Sequence, residues 1–312
     1  MYYIGLDVGG TGIQCGIVNL EGKILYSEEC KTRVEAGFEA MAEDIGNLIE
    51  KTVSNAKVSW EEINSIGIGI PGVANREGLI IHAVNLKVED APLGEILRKR
   101  FGKKVVIEND ATVAALAEYH FGGLKGSEVG VMITLGTGVG GGIIINGKTF
   151  SGARGMGSEL GHIHIGKSEF DCNCGNNGCF EMFCSATAII KKAQLLISNG
   201  ENSSILKERS VIEDITAKDV FDSFRQGDLV AVKIVEEFKE KLGFGIAMIV
   251  NVLDPDVITI GGGMSRAHDI FLTNLREEVK RHVIFKSNEV AKINIANMGN
   301  DAGIVGAAML GI

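Results

Sequence analysis

The first apolar stretch, residues 2–7, reads as a short strand that runs into a glycine turn, Asp7-Val8-Gly9-Gly10-Thr11. Gly12 to Asn19 resumes the strand. Glu21-Gly22 marks a turn, and Lys23 to Glu29 reads as a third strand, so the chain opens with a meander. The period then changes. Phe38, Met41, Ile45, Leu48, Ile49 and Val53 recur at helical spacing and predict a helix over 35–55. Residues 63–70 (INSIGIGI) return to strand and stop at Pro71-Gly72. A short helix is predicted over 92–101 with proline near its start, then a strand over 104–108 and a helix over 111–121.

At Val129 the pattern begins again. Residues 129–138 (VGVMITLGTG) form a strand ending in a glycine turn, 139–145 (VGGGIII) its partner, and 148–150 the start of a third. Helices are predicted over 186–198, 217–226 and 229–252. A strand over 257–260 ends in three glycines, followed by a helix over 268–282, a strand over 292–296 and a small-residue helix over 303–310. Residues 198–214 are the most polar stretch and read as a surface loop. A meander with a glycine turn, followed by helices and further strands, thus occurs twice. This predicts an α/β fold of two domains with duplicated βββαβα units and a ligand site in the interdomain cleft. The expected division is a small N-terminal α/β domain, 1–118, closed by the C-terminal helix 300–312, and a larger α/β domain, 119–299.

Composition sharpens this picture in a few places. The 42 glycines among 312 residues are roughly twice the usual share of about 7%. They cluster at strand ends, where glycine permits positive φ and close backbone approach to a ligand. The net charge of −9 and the absence of a basic stripe argue against nucleic acid as a partner. An anionic substrate therefore needs a local positive site, such as a helix N-terminus or a bound cation. Residues 129–147 carry no charge, but seven of the nineteen are glycine and most of the others β-branched. Two short strands fit that run better than a membrane span, and no membrane partner is expected. The N-terminus lacks the basic region and apolar core of a signal peptide. A cytoplasmic protein is expected, in which cysteines bind metal or stay free rather than pair. Cys15 and Cys30 fall in strands and read as buried thiols.

Two glycine turns, Asp7–Thr11 and Leu135–Gly142, end strands. Such turns present backbone N–H groups that can cradle phosphate, with threonine hydroxyls as further donors. An aspartate there can hold Mg²⁺ directly or through water; Gly, Asp and Thr are equally good plain turn residues. Gly261-Gly262-Gly263 could pass under a flat base or its ribose, or be an ordinary strand-to-helix turn. Glu108-Asn109-Asp110 ends a strand and opens a helix. Asp110 fits an N-cap, and also a general base at the C-terminal end of a strand, where α/β proteins place their sites.

The densest chemistry lies at 159–181 (ELGHIHIGKSEFDCNCGNNGCFE). Cys172, Cys174 and Cys179 lie within eight residues, and Asn173, Gly175 and Gly178 let the chain fold back so that they converge. With His162 as fourth ligand they make a structural Cys₃His zinc site. His164 and Cys184 are nearby rivals, although Cys184 reads as packed inside a helix. Glu159 and Glu181 flank the cluster, either as surface carboxylates or as rigid acceptors for sugar hydroxyls.

Together these residues resemble the ROK family of sugar kinases, within the actin/hexokinase-like ATPase superfamily of ribonuclease H-like fold. GLDVGGT, IENDATVAALAE, LGTGVGGGI, CNCGNNGCFE and DAGIVGAAML carry the resemblance across nearly the whole length. GELGHI is met as Ser158 to Ile163, with serine replacing the usual first glycine. The resemblance implies that Asp110 is the catalytic base. It implies that Gly72, Asn109, Glu159, His162 and Glu181 hold the sugar, with His162 binding zinc through one ring nitrogen and a hydroxyl through the other. Mg²⁺–ATP is expected at Asp7, Gly9, Gly10 and Thr11 and at Gly136, Thr137 and Gly138, with Gly261, Gly262 and Gly263 near the adenosine. Zinc is expected to be structural. The implied activity is ATP-dependent phosphorylation of a hexose 6-hydroxyl, glucose first. N-acetylmannosamine is the nearest rival, and fructose, mannose and allose are weaker ones. Family repressors carry a DNA-binding domain ahead of the first phosphate strand, and here that strand starts by Tyr3, so none is expected. A non-catalytic sugar sensor and an actin-like filament protein are the rivals from other classes. A homodimer or higher homo-oligomer is expected by analogy.

Overall fold

A computed structural model describes residues 1–207, 209, 211–287 and 289–312. The chain opens with β1 (Tyr2–Val8), β2 (Gly12–Val18), β3 (Ile24–Lys31) and α1 (Phe38–Ala56). There follow β4 (Ile63–Ile70), β5 (Val73–Ala74), β6 (Ile80–Ala83), β7 (Val88–Ala91), α2 (Leu93–Phe101), β8 (Lys104–Asn109) and α3 (Asp110–Phe121). The second half holds β9 (Val129–Leu135), β10 (Val139–Ile145), β11 (Lys148–Thr149), α4 (Glu181–Cys184), α5 (Ala186–Ser198), α6 (Ala217–Arg225) and α7 (Leu229–Leu253). β12 (Val257–Gly261), α8 (His268–His282), β13 (Lys292–Ile295) and α9 (Ala302–Met309) complete it.

The internal repeat is visible in the sheets. One sheet has the order β3-β2-β1-β4-β8 and the other β11-β10-β9-β12-β13, the same succession twice. The meander strands pair antiparallel and the later ones parallel, as β1 with β4, β4 with β8 and β12 with β13. The uncharged run 129–147 is β9 and β10, and among the described residues no helix is long and apolar enough to cross a membrane. A small sheet, β5-β6-β7, is an addition that the sequence pattern did not predict. The chain divides into two compact units: 1–132 with 142–158 and 296–312, and 133–141 with 159–295.

In the first unit the inward faces of the sheet are aliphatic: Ile4, Leu6, Ile13, Ile17, Ile66 and Ile68 are fully buried. Helix α9 lies flush on β1 and β4. A Cβ on Gly5 would fall 1.9 Å from the Ile304 carbonyl oxygen, and one on Gly67 1.7 Å from that of Ala307. Only glycine permits this approach, so the C-terminal helix is seated by two strand glycines from the N-terminal part of the chain. In the second unit α7 and α8 pack through Phe238 and Phe271, whose rings meet edge-on at 5.7 Å. Cys184 is fully buried in α4, as its packed reading required. Residues 198–214 contain two 3₁₀ turns and bury Ile205, so the stretch is not wholly a surface loop; Glu208 and Ser210 lie outside the described residues. Cys15 is buried and Cys30 half-buried, and both are free thiols.

Candidate active site

In the first unit the register places three candidate segments along one sheet edge. Asp7 is paired with Gly69, and Gly69 with Glu108, across the parallel strands β1, β4 and β8. The first glycine turn, Pro71-Gly72 and Asn109-Asp110 therefore all leave the sheet at its C-terminal ends, the usual ligand edge of an α/β sheet. The glycine turn is tied down: Gly9 N–H donates to the Gly12 carbonyl at 2.8 Å, and the Thr32 hydroxyl to the Gly9 carbonyl at 2.6 Å. Asp7 lies against the first turn of α9, where a Cβ on Gly303 would fall 2.4 Å from its Oδ2. Burial pushes the Asp7 carboxyl above its ordinary range. A cation beside it would favour the charged form again, so the residue fits a Mg²⁺ partner.

Asn109, not Asp110, caps α3. Its Oδ1 accepts the Ala111 N–H at 2.9 Å and the Thr112 N–H at 3.3 Å, and its Nδ2 donates to the Gly72 carbonyl at 3.3 Å. This corrects the capping reading of Asp110. The extended backbone of the strand's last residue suits a cap, whereas Asp110 is already the first helical residue. Asp110 is exposed, and its Oδ1 accepts the Ala111 N–H at 2.8 Å. Glu108, to which the sequence reading gave no role, accepts from the Ser151 hydroxyl at 2.5 Å and from Asn109 N–H at 2.8 Å. Burial pushes its carboxyl up. An acid closing an apolar strand was the available signal.

In the second unit the glycine turn after β9 is closed by a Gly136 N–H bond to the Gly138 carbonyl at 2.9 Å. Helix α5 begins against it: Ala186 N–H donates to the Gly136 carbonyl at 2.8 Å and the Thr187 hydroxyl to the Thr137 carbonyl at 2.7 Å. Glu181 Oε2 accepts the Val139 N–H at 2.9 Å, and a Cβ on Gly138 would fall 2.2 Å from that oxygen. The Gly261–Gly263 turn meets the same region, because Gly262, at φ 82°, packs onto the Leu135 backbone so closely that a Cβ would fall 2.4 Å from the Leu135 carbonyl oxygen. The second glycine turn, the triple glycine and Glu181 are thus gathered at the end of β9.

The thiol cluster converges as expected. The metal-binding atoms of His162, Cys172, Cys174 and Cys179 all lie within 4.8 Å of one another, and His164 and Cys184 stand outside that group. Cys174 and Cys179 Sγ are 3.6 Å apart, and Cys172 Sγ is 3.7 Å from His162 Nδ1. Zn–S bonds of about 2.3 Å in a tetrahedron give ligand separations of about 3.8 Å, so the donor set fits zinc in number, chemistry and size. Burial pushes the Cys172 and Cys179 thiols up, Cys179 to about 12, whereas a backbone N–H from Asn176 holds Cys174 down at about 7. A bound dication would draw all three to thiolate. Glu181 Oε1 lies 4.0 Å from Cys172 Sγ, so this carboxylate touches both the cluster and the glycine turn. Glu159 is exposed just before the 3₁₀ turn Leu160–His162 that carries the histidine.

The sequence profile of the ROK family matches residues 3–312. The chain belongs to the ROK family. Among known relatives, a glucokinase of Halalkalibacterium halodurans is 36% identical over 99% of this chain and 94% of its own. An N-acetyl-D-glucosamine kinase of Histophilus somni is 32% identical over 99% of this chain and 98% of its own. Among solved structures, a ROK family glucokinase from Streptomyces griseus in complex with glucose and AMPPNP superposes with a TM-score of 0.82 at 32% identity, covering 99% of both chains. The fold is that of the two-domain, actin-like ATPases to which these ROK kinases belong.

Proposed function

We propose that the sugar phosphorylated by this ATP-dependent sugar kinase is glucose, at its 6-hydroxyl. The observation that carries the choice of sugar is the 36% identity to a glucokinase along essentially the entire chain. Asp110 is the general base: it stands exposed at the start of α3 and takes the proton of the 6-hydroxyl as that oxygen bonds to the γ-phosphorus of ATP and the bond to ADP breaks. Asn109 beside it is rigid, because cap and Gly72 bonds occupy its oxygen and one amide N–H. The second amide N–H is left for a sugar hydroxyl.

Glu159, Glu181 and His162 hold the sugar. His162 presents Nδ1 to the thiols. A metal there fixes the ring proton on Nε2, which then donates to a hydroxyl. Zinc, held by His162, Cys172, Cys174 and Cys179, supplies rigidity at this site. Mg²⁺, held at Asp7 directly or through water, neutralises phosphate charge when bound. The backbone of Gly9, Gly10 and Thr11, with that of Gly136, Thr137 and Gly138, receives the phosphates, and Gly261 to Gly263 the adenosine.

The N-acetyl-D-glucosamine kinase relative favours a second reading, an N-acetylhexosamine with its larger group at C2; N-acetylmannosamine belongs to the same class. A coupled ADP-release assay with glucose, mannose, N-acetylglucosamine and N-acetylmannosamine separates the two. Glucose is expected to give the highest kcat/KM. A higher value for either N-acetyl sugar overturns the choice of glucose, and no ADP with any hexose overturns the kinase.

A further inference from the structure

A second carboxylate on α3 has no part in the chemistry above, yet its surroundings are unusually specific. Glu118 is fully buried. Its Oε1 accepts the backbone N–H groups of Asn297 at 2.7 Å and Met298 at 2.8 Å, and its Oε2 accepts that of Gly123 at 2.6 Å. Burying a charge without partners is strongly unfavourable. Here aligned N–H groups meet the carboxylate, the arrangement that holds anions at helix starts.

The partners show what is being held. Asn297 and Met298 directly precede the 3₁₀ turn Gly299–Asp301, which leads into α9. Neither Met298, the cap of that turn, nor Asp301, the cap of α9, supplies a side-chain cap bond. Glu118 takes that place from a different helix, 179 and 180 residues away in the chain. Its other oxygen is fitted against the end of its own helix, where a Cβ on Gly122 would fall 2.0 Å from Oε2. Helix α9 in turn touches the candidate cation ligand, since Gly303 in its first turn has Asp7 Oδ2 within 2.4 Å of its missing Cβ. A Cβ on Gly306, one turn later, would fall 1.9 Å from the Val113 carbonyl oxygen of α3.

We propose that Glu118 is a positioning residue for Asp7: it fixes the axial register of α9 on α3, and so the place of the Asp7 carboxylate relative to Asp110, which α3 carries at its other end. The inference rests on the reading of Asp7 as the Mg²⁺–ATP residue. Eight residues of helix separate Asp110 from Glu118, about 12 Å, and this rigid length spans base and anchor.

The test compares Glu118→Gln, Glu118→Asp and Asp7→Asn with wild type, at a temperature where circular dichroism shows each fully folded. Amide hydrogen exchange at Gly123, Asn297 and Met298 reads the anchor itself, and calorimetric binding of Mg²⁺–AMPPNP and glucose reads its consequence. Glu118→Gln is expected to speed exchange at those amides and to lower kcat/KM for ATP about 10- to 100-fold, the usual effect of a displacement near 1 Å. Glucose affinity should stay within about two-fold. Glu118→Asp, which keeps the charge one methylene short, should fall between Gln and wild type. In an Asp7→Asn background the Glu118→Gln change should add little. If Asp7→Asn weakens Mg²⁺–AMPPNP and Glu118→Gln does not, the positioning role is overturned. An equal loss of ATP and glucose binding in Glu118→Gln overturns it as well. If Asp7→Asn itself leaves nucleotide binding unchanged, the reading of Asp7 fails instead.

Discussion

The carboxylate of Glu181 accepts the backbone N–H of Val139 at 2.9 Å, so a residue beside the thiol cluster also fixes the turn proposed to hold phosphate. A hydrogen bond to a charged acceptor is worth about 1.5–3 kcal/mol. Glu181→Ala should therefore raise KM for ATP about 10- to 100-fold in addition to its effect on the sugar. Initial rates with both substrates varied check this. A variant whose KM rises for the sugar alone would show that the bond to Val139 does not matter for nucleotide.

Asp110→Asn should lower kcat by about 10²–10⁴ while glucose still binds, since it removes the proton acceptor but keeps a side-chain oxygen able to accept the Ala111 N–H. The side chain is exposed, and Asn109 rather than Asp110 caps the helix, so the melting temperature should barely move. Rapid-quench rates with calorimetric sugar binding provide the measurement, and near-wild-type turnover refutes the base.

Metal analysis should find one zinc per chain. Cys174→Ser should lose it, because three remaining ligands hold zinc far less tightly than the four gathered within 4.8 Å. Stability should fall with the metal, as binding energy at such a site is folding energy. Chelation of wild type should reproduce the drop in melting temperature; clean wild-type protein without zinc would end the assignment.

Ser158 stands where the family motif has glycine, and it has a left-handed backbone, φ 68°. That conformation costs a non-glycine residue about 1–2 kcal/mol. The Ser158 hydroxyl returns part of this by donating to the Phe150 carbonyl at 2.5 Å, a bond worth about 1 kcal/mol. Ser158→Gly should therefore change stability by less than about 1 kcal/mol, whereas Ser158→Ala should lose about 1 kcal/mol, keeping the strain without the bond. Urea unfolding decides, and an alanine variant as stable as wild type would discount the hydroxyl.

Burial raises the Glu108 carboxyl above its ordinary 4.5. The folded state thus holds that proton more tightly than the unfolded chain. The associated stability is complete below the unfolded value and is lost as pH rises through the folded one. Glu108→Gln cannot titrate, so its stability should decline less than that of wild type as pH is raised from about 4.5. Parallel curves for the two proteins would assign the slope to other groups.

The legible parts of the fold were those with long periodic runs and clear stops. Helices α5 and α8 run over the expected residues, 186–198 and 268–282, because capping or punctuating residues bound strong 3.6-residue patterns. The sheet β5-β6-β7 escaped because strands of two to four residues are too short to show alternation. At the site, the thiols converged because their ligands are local in sequence and their glycines allow one fold-back. Asp110 was read as the cap because a neighbouring asparagine and aspartate suit that place equally; only the backbone angles separate them. In the sequence Glu118 is one more polar position in an alanine-rich helix. Two of its partners are backbone groups nearly 180 residues away, and no local pattern announces them.

The seating of α9 on Gly5 and Gly67 has a consequence for biosynthesis. While the ribosome is still making the middle of the chain, β1 and β4 have been finished but the helix that covers them has not emerged. The nascent first unit therefore presents an uncapped apolar sheet until residues 302–309 arrive, the kind of exposed intermediate that aggregates or recruits chaperones. Its final closure joins Gly5 to Ile304 and Gly67 to Ala307, and such long-range contacts form late.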